Sequence, residues 1–198
     1  MPEESTGYPM PVRSWLAHRF LSASGWTLVG NHPASRRYVL IAAPHTSNWD
    51  LLFMLALAWS AGIRLSWMGK HTLFLGPCGR LARWLGGIPV RRHAPENVVD
   101  QMTRAFEEQP GLVLAIAPEA TRSYGPHWKS GFYRIALAAQ VPIVMGFLDY
   151  GHKRGGFGPE LIPTGDLRED MEEIRHFYVD KIARFPEATS EIRLKEEM

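Results

Sequence analysis

The sequence predicts an α/β fold: a single domain with a central, largely parallel β-sheet flanked by helices on both faces. Short, continuously apolar runs alternate along the chain with longer segments in which apolar residues recur at helical spacing. Strands that are apolar throughout are typical of parallel sheets covered on both faces. The length of 198 residues, of which 45% are hydrophobic, suits one domain with a substantial core.

Five short apolar runs predict the strands of this sheet. They are residues 39–43, 65–68, 88–90, 112–117 and 142–147. The third is at most a short or edge strand, because Pro89 has no backbone N–H to donate to a neighbour.

Six segments with helical spacing predict the helices. They are residues 12–20, 48–60, 79–85, 96–108, 131–140 and 167–185. Gly62 follows the second and Pro110 follows the fourth, as expected where helices end. The last is the most regularly amphipathic. Its apolar face comprises Leu167, Met171, Ile174, Tyr178, Ile182 and Phe185.

The composition and the apolar runs indicate which partners and which cellular environment to expect. A net charge of +2, without a basic stripe interleaved with aromatic residues, indicates no nucleic-acid partner. Cys78 is the single cysteine, which excludes an internal disulfide and suits a reducing compartment. The N-terminus lacks the profile of a signal peptide. The longest apolar run, 51–63, is too short to span a bilayer.

A histidine and an aspartate follow the strand predicted at 39–43. His45 and Asp50 would lie about 140° apart on one continuous helix, so their side chains would diverge. If His45 instead lies on the turn leaving the strand, and Ser47 or Asn48 caps the next helix, Asp50 can reach back to the imidazole. A carboxylate on one ring nitrogen leaves the other free to take a proton from a hydroxyl.

Two further segments place charged residues beside predicted strands. Glu119, Thr121 and Arg122 follow the strand at 112–117, in the polar segment after Pro118. Arg122 suits an anion, with Glu119 orienting Arg122 or a substrate hydroxyl; an ordinary surface pair is the alternative. The second segment runs from Lys70 through Gly86-Gly87 to Arg91-Arg92. Glycines beside a basic pair allow close approach to a phosphate, while a solvated basic turn is the alternative.

These segments carry a family resemblance over residues 38–147. The matching positions are His45, Ser47 and Asp50; Lys70, Gly87 and Arg92; Pro118, Glu119, Thr121, Arg122 and Ser123, followed by Lys129 and Gly131; and residues 141–144. In this order they resemble the four motifs, beginning with His-x4-Asp, of the glycerolipid (lysophospholipid, 1-acylglycerol-3-phosphate type) acyltransferase family. Its members transfer a fatty acyl group from a thioester to a lipid hydroxyl. The departures from its pattern are Pro44, Arg91, Ala120 and Met145.

The resemblance implies a role for each matching position. His45 and Asp50 would be catalytic, while Lys70, Arg91, Arg92, Glu119, Thr121 and Arg122 would bind the acceptor. No metal or cofactor is implied: the donor would be an acyl thioester of coenzyme A or of acyl carrier protein. The acceptor would be a lipid or a glycerol-phosphate-like molecule, and the departures indicate a divergent one. A cytoplasmic protein, peripheral on the inner face of the membrane, is expected.

The chemistry expected of the pair is general-base catalysis. His45 would remove the acceptor hydroxyl's proton as it attacks the thioester carbonyl, and Asp50 would stabilise the imidazolium. Backbone N–H groups at the start of the helix near Asn48 are candidates to stabilise the oxyanion.

We expect residues 1–198 to form a single acyltransferase-like domain, with a motif-bearing core at 38–147 and a C-terminal amphipathic helix at 167–186. Within the first 25 residues, Trp15 and Phe20 beside Arg13 and Arg19 suit a membrane-surface helix; packing on the domain is the alternative.

Three other functions stay open. One is a non-catalytic lipid-surface module on the same fold. A second is a hydrolase that uses Cys78 with a histidine such as His71. The third is a metal-dependent phosphoester hydrolase that uses His45 and Asp50, although no companion metal-ligand motif is present.

Overall fold

A seven-stranded sheet runs through the protein in the computed structural model, which describes residues 12–90 and 97–198. In chain order the strands are β1 (Thr27–Val29), β2 (Tyr38–Ala43), β3 (Leu65–Lys70), β4 (Gly87–Val90), β5 (Val113–Ile116), β6 (Ile143–Asp149) and β7 (Arg154–Leu161). Their order across the sheet is β1-β7-β6-β2-β5-β3-β4. Neighbouring strands pair in parallel except β6 and β7, which are antiparallel. The predicted α/β class with a largely parallel sheet is confirmed.

Helices cover both faces of this sheet. In the described ranges they are α1 (Val12–Ser24), α2 (Trp49–Ser60), α3 (Gly76–Trp84), α4 (Val98–Glu108), α5 (Gly131–Ala139) and α6 (Leu167–Tyr178). Short 3₁₀ helices occur at His71–Phe74, Pro186–Ala188 and Lys195–Glu197. Helices α4, α5 and α6 share one apolar cluster with the sheet, while α2 packs on the other face with α1 against its outer side.

The central strand β2 shows why the strands are apolar throughout. Val39 and Ile41 belong to the cluster beneath α4, α5 and α6, whereas Tyr38 and Leu40 belong to the cluster beneath α2. Successive side chains of a strand point to opposite faces, and here both faces are buried.

Strands β1 and β7 are missing from the sequence prediction. The segment of β7 is rich in glycine, which weakens a strand pattern. The glycines are there because of close approach: a Cβ on Gly156 would lie 1.9 Å from the Val29 carbonyl oxygen, and one on Gly155 would lie 2.6 Å from a Leu57 methyl carbon. Packing against distant segments therefore requires glycines in β7, and a glycine-rich segment lacks the pattern that predicts a strand.

The helix predicted at 167–185 is wrong beyond Tyr178, where α6 ends. The chain then returns to the carboxyl end of the sheet. The carbonyl of Ile182 accepts a hydrogen bond from Tyr150 N–H at 2.8 Å, and the N–H of Phe185 donates to Thr46 Oγ1 at 3.2 Å. These tertiary hydrogen bonds replace the helical ones, and they lay residues 179–185 beside the segment that carries His45.

Helix α1 confirms the helix predicted near the N-terminus and packs on the domain. Ala17 and Leu21 are buried against α2, while Val12, Trp15 and Leu16 are exposed. Residues 1–11 of the predicted N-terminal segment lie outside the described residues. Across residues 12–90 and 97–198, no helix has both the length and the apolar character needed to cross a bilayer. The predicted domain boundaries stay predictions.

Candidate active site

Those predicted site residues that the structure describes lie at the carboxyl end of the parallel sheet. Strand β2 ends at Ala43, two residues before His45, and β5 ends at Ile116, three residues before Glu119. Because β2 and β5 are parallel neighbours, the loops that follow them meet at one edge.

His45 and Asp50 form a hydrogen-bonded pair. His45 Nδ1 lies 3.1 Å from Asp50 Oδ2, and Asp50 occupies the first turn of α2, as the spacing predicts. Asp50 is only 4% exposed, whereas the His45 side chain is 23% exposed. This arrangement commits Nδ1 to the carboxylate and leaves Nε2 as the ring nitrogen available to a substrate. The catalytic role of the pair stays a prediction.

The backbone amides around the pair have partners within the protein. Thr46 N–H and Ser47 N–H donate to Asp50 Oδ2 at 2.9 and 2.8 Å. Trp49 N–H donates to Ser47 Oγ at 3.2 Å, and Asp50 N–H to the Ser47 carbonyl at 3.3 Å. These four N–H groups hold Asp50 and the turn, and the expectation that N–H groups at this helix start stabilise an oxyanion stays a prediction.

Glu119 is hydrogen-bonded to the backbone of His45. Its Oε1 accepts a hydrogen bond from His45 N–H at 3.1 Å, and the residue is 2% exposed. Its Oε2 is buried with no hydrogen-bond partner among the described residues. Burial raises the pKa of Glu119 to about 7, which the hydrogen bond from His45 partly opposes. The alternative of a surface pair between Glu119 and Arg122 is wrong, because Glu119 is buried.

A cavity of about 510 Å³ opens beside His45 and Asp50. Its volume falls in the range of small-molecule sites. Thr121 and Arg122 line it, as does Lys129. Most of its wall is apolar and comes from α2 and the sheet, including Leu40, Ala42, Leu51, Met54, Leu57, Ala58, Ala115 and Phe157. The cavity thus combines an apolar interior with the histidine and two cationic side chains.

Lys70 and Cys78 are not brought to this cavity. Lys70 ends β3 and is exposed, and it does not line the cavity. Arg91 and Arg92 lie outside the described residues. Cys78, the alternative nucleophile, is exposed on α3 and does not line the cavity either.

Ala120 occupies the position where the family pattern has glycine. Its backbone φ is 57°, in the left-handed region that favours glycine. A methyl group at this φ costs roughly 1–2 kcal/mol relative to an ordinary backbone conformation. Ala120 adopts this conformation although it carries a methyl group, and the residue lines the cavity.

Sequence reasoning missed Tyr150, which contacts the pair, and Arg184, which lies near Tyr150. Tyr150 donates its hydroxyl to Asp50 Oδ1 at 2.6 Å, and the Arg184 guanidinium carbon lies 5.8 Å from the Tyr150 ring centroid. Tyr150 directly follows β6, so the rule that polar residues after strands gather at one edge identifies it. Arg184 had no such signal, because the segment around it reads as helix.

No group of three or more His, Cys, Asp or Glu side chains in the described part of the chain is arranged to hold a metal ion. The expectation of a site without metal or cofactor stays a prediction.

The chain belongs to the acyltransferase family, whose family model matches residues 27–145. This match covers the motif-bearing strands and loops and identifies the class of protein. No curated protein sequence matches the chain significantly.

A solved structure shares the fold. It is the crystal structure of the 1-acyl-sn-glycerophosphate (LPA) acyltransferase PlsC from Thermotoga maritima, with a TM-score of 0.59 and 16% sequence identity. The similarity covers 85% of this chain and 76% of that protein.

Proposed function

We propose that the protein transfers a fatty acyl group from an acyl thioester to a hydroxyl of a lipid or glycerol-phosphate-like acceptor. The observation that carries this proposal is the His45–Asp50 pair on the wall of a largely apolar cavity of about 510 Å³. In a member of the acyltransferase family, this arrangement supports a role for His45 as the base that acts beside a bound acyl chain.

The apolar interior suits the acyl chain of the donor. Met54, Leu57 and Ala58 line the cavity along α2, beyond Asp50. Asp50 and Ala58 are separated along the helix axis by about 12 Å, at 1.5 Å per residue. A chain lying between α2 and the sheet would therefore present its thioester carbonyl near His45. Its burial there would be favourable in proportion to the apolar area removed from water.

His45 acts as the general base in this proposal. Its Nε2 takes the proton of the acceptor hydroxyl as that oxygen forms a bond to the thioester carbonyl carbon. The tetrahedral intermediate collapses by breaking its carbon–sulfur bond, and the imidazolium returns the proton to the leaving thiolate. Asp50 fixes the ring and stabilises the imidazolium.

The anionic parts of the substrates meet the cationic side chains. Arg122 and Lys129 line the cavity near His45 and suit a phosphate group of the acceptor. Lys70, Arg91 and Arg92 remain candidates for the same acceptor, and Thr121 supplies a hydroxyl at the cavity wall. Positioned in this way, the acceptor attacks in an effectively unimolecular step.

The lipid acceptor requires access to a membrane surface. Val12, Trp15 and Leu16 are 73%, 55% and 51% exposed on α1, next to Arg13 and Arg19. An apolar strip bordered by basic residues suits the interface of an anionic membrane. We propose that α1 docks there while Ala17 and Leu21 keep it attached to the domain.

The experiment that tests this function supplies both substrates. Purified protein is incubated with a lipid extract and an acyl thioester of coenzyme A or of acyl carrier protein, and products are identified by mass spectrometry. We expect a new acyl ester and an equal amount of free thiol. Free fatty acid without a new ester would identify a hydrolase. No turnover of either donor with any acceptor would favour the lipid-binding alternative, and either result would contradict the proposal.

A further inference from the structure

The Asp50 carboxylate is held by donors on both of its oxygens. Oδ2 accepts hydrogen bonds from His45 Nδ1, Thr46 N–H and Ser47 N–H at 3.1, 2.9 and 2.8 Å. Oδ1 accepts the hydroxyl of Tyr150 at 2.6 Å. The backbone bonds fix one oxygen, and the tyrosine fixes the other, so the plane of the carboxylate is defined from two sides.

Tyr150 is itself fixed. Its ring lies 4.9 Å from Trp26 and 5.9 Å from Phe53, both edge-on, and its N–H donates to the Ile182 carbonyl at 2.8 Å. A tyrosine has two rotatable side-chain torsions, and aromatic packing of this kind restricts both. The hydroxyl therefore reaches Asp50 at little further cost in conformational entropy.

The Tyr150 hydroxyl stays a donor near neutral pH. Burial, then the hydrogen bond to Asp50, raises the pKa of Tyr150 above its ordinary value, while Arg184 opposes this rise. Two further charged or titratable groups lie close by: Glu119, whose Oε1 accepts a hydrogen bond from His45 N–H, and Arg184, whose guanidinium carbon lies 5.8 Å from the Tyr150 ring centroid.

We propose that Tyr150 is a positioning residue for the His45–Asp50 pair. Its hydroxyl holds Asp50 in the orientation in which Oδ2 meets His45 Nδ1, and it draws negative charge away from the carboxylate. The proposal rests on the function proposed above for His45.

Tyr133 offers a matched control within the chain. Its hydroxyl also donates to a buried carboxylate, Asp170 Oδ2, at 2.6 Å. That pair joins α5 to α6 and does not line the cavity. Tyr150→Phe and Tyr133→Phe therefore each remove one hydroxyl from a tyrosine–aspartate pair while keeping the ring.

The kinetic test compares these two variants. Tyr150→Phe should lower kcat by roughly tenfold or more, the scale for losing a partner that orients a catalytic group, with KM for both substrates within about twofold. Tyr133→Phe should change neither. Equal effects of both variants, or no effect of Tyr150→Phe, would overturn the proposal.

A further measurement does not depend on turnover. In the substrate-free protein, ¹⁵N NMR should report one imidazole tautomer for His45 in wild type and a mixture in Tyr150→Phe. If the wild type transfers no acyl group, the proposed function fails, while the tautomer result still decides the role of Tyr150.

Discussion

The buried carboxylate of Glu119 accepts a hydrogen bond from the backbone N–H of His45 at 3.1 Å. This bond joins the loop after β5 to the loop after β2. The other oxygen, Oε2, is buried without a partner among the described residues. The carboxyl group is therefore easier to bury neutral than charged, which is why the pKa of Glu119 is raised to about 7.

This raised pKa predicts a pH-dependent effect of Glu119→Gln on stability. The folded state binds the Glu119 proton more tightly than the unfolded state, so wild-type stability is lost as pH rises from 4.5 through about 7. Gln stays neutral. The free energy of unfolding of the variant, relative to wild type, should therefore rise by up to about 3 kcal/mol between pH 4.5 and 8, measured by urea unfolding.

Glu160→Gln is the control for this measurement. The pKa of Glu160 is lowered: burial opposes this, but hydrogen bonds from Ser35 outweigh it. A lowered pKa gives stability that is lost only as pH falls through the acidic range, so the Glu160→Gln difference should stay constant between pH 6 and 8. A Glu119→Gln difference that is equally constant would contradict the buried, neutral carboxyl group.

The sequence predicted the parts of the site that local rules control. Periodicity placed β2 and α2, and the five-residue spacing of His45 and Asp50 correctly required a turn between them. The parallel topology also predicted that the site lies at the carboxyl ends of the strands. What failed depends on contacts distant in sequence: the glycines of β7 serve packing against β1 and α2, and α6 ends early because residues 182 and 185 bond to other loops.

The same difference between local patterns and contacts distant in sequence explains which site residues could be predicted. Glu119 was found as a polar residue after a strand, but its partner is the His45 backbone and not Arg122, which only the burial of the loop reveals. Arg184 reaches the site through the non-helical segment after Tyr178, and no local pattern predicts that path.

The cavity predicts that a larger side chain at Ala58 shortens the preferred acyl chain. Ala58→Leu fills the part of the cavity far from His45, so the ratio of kcat/KM for long over short acyl thioesters should fall. Ala56→Leu is the control, because Ala56 is buried beneath α1 on the other side of α2. Both variants should lose about 1–3 kcal/mol of stability from overpacking. If Ala58→Leu and Ala56→Leu show the same chain-length preference, the acyl chain does not lie beside Ala58.

Helix α1 predicts a change in vesicle binding that leaves the fold intact. Trp15→Ser with Leu16→Ser removes exposed apolar area but keeps Ala17 and Leu21 buried. Binding to vesicles rich in anionic phospholipid should weaken about tenfold or more, from the apolar area lost, as measured by flotation.

The control for this test is the double variant Ile162→Ser with Leu137→Ser. Both residues are exposed, at 77% and 44%, and Leu137 lies on α5, which covers the opposite face of the sheet. This double variant should bind vesicles as wild type does. Equal loss in both double variants would exclude α1 as the docking surface.

The central claim is that the His45–Asp50 pair performs acyl transfer, and His45→Ala tests it most directly. The control is His152→Ala: His152 Nδ1 also lies near an aspartate, 2.8 Å from Asp149 Oδ2, but His152 is exposed on a turn and does not line the cavity. In steady-state assays, His45→Ala should lower kcat/KM by about 10²- to 10⁴-fold while remaining folded, and His152→Ala should stay within about twofold of wild type. A folded His45→Ala variant that transfers acyl groups as fast as His152→Ala would contradict the account.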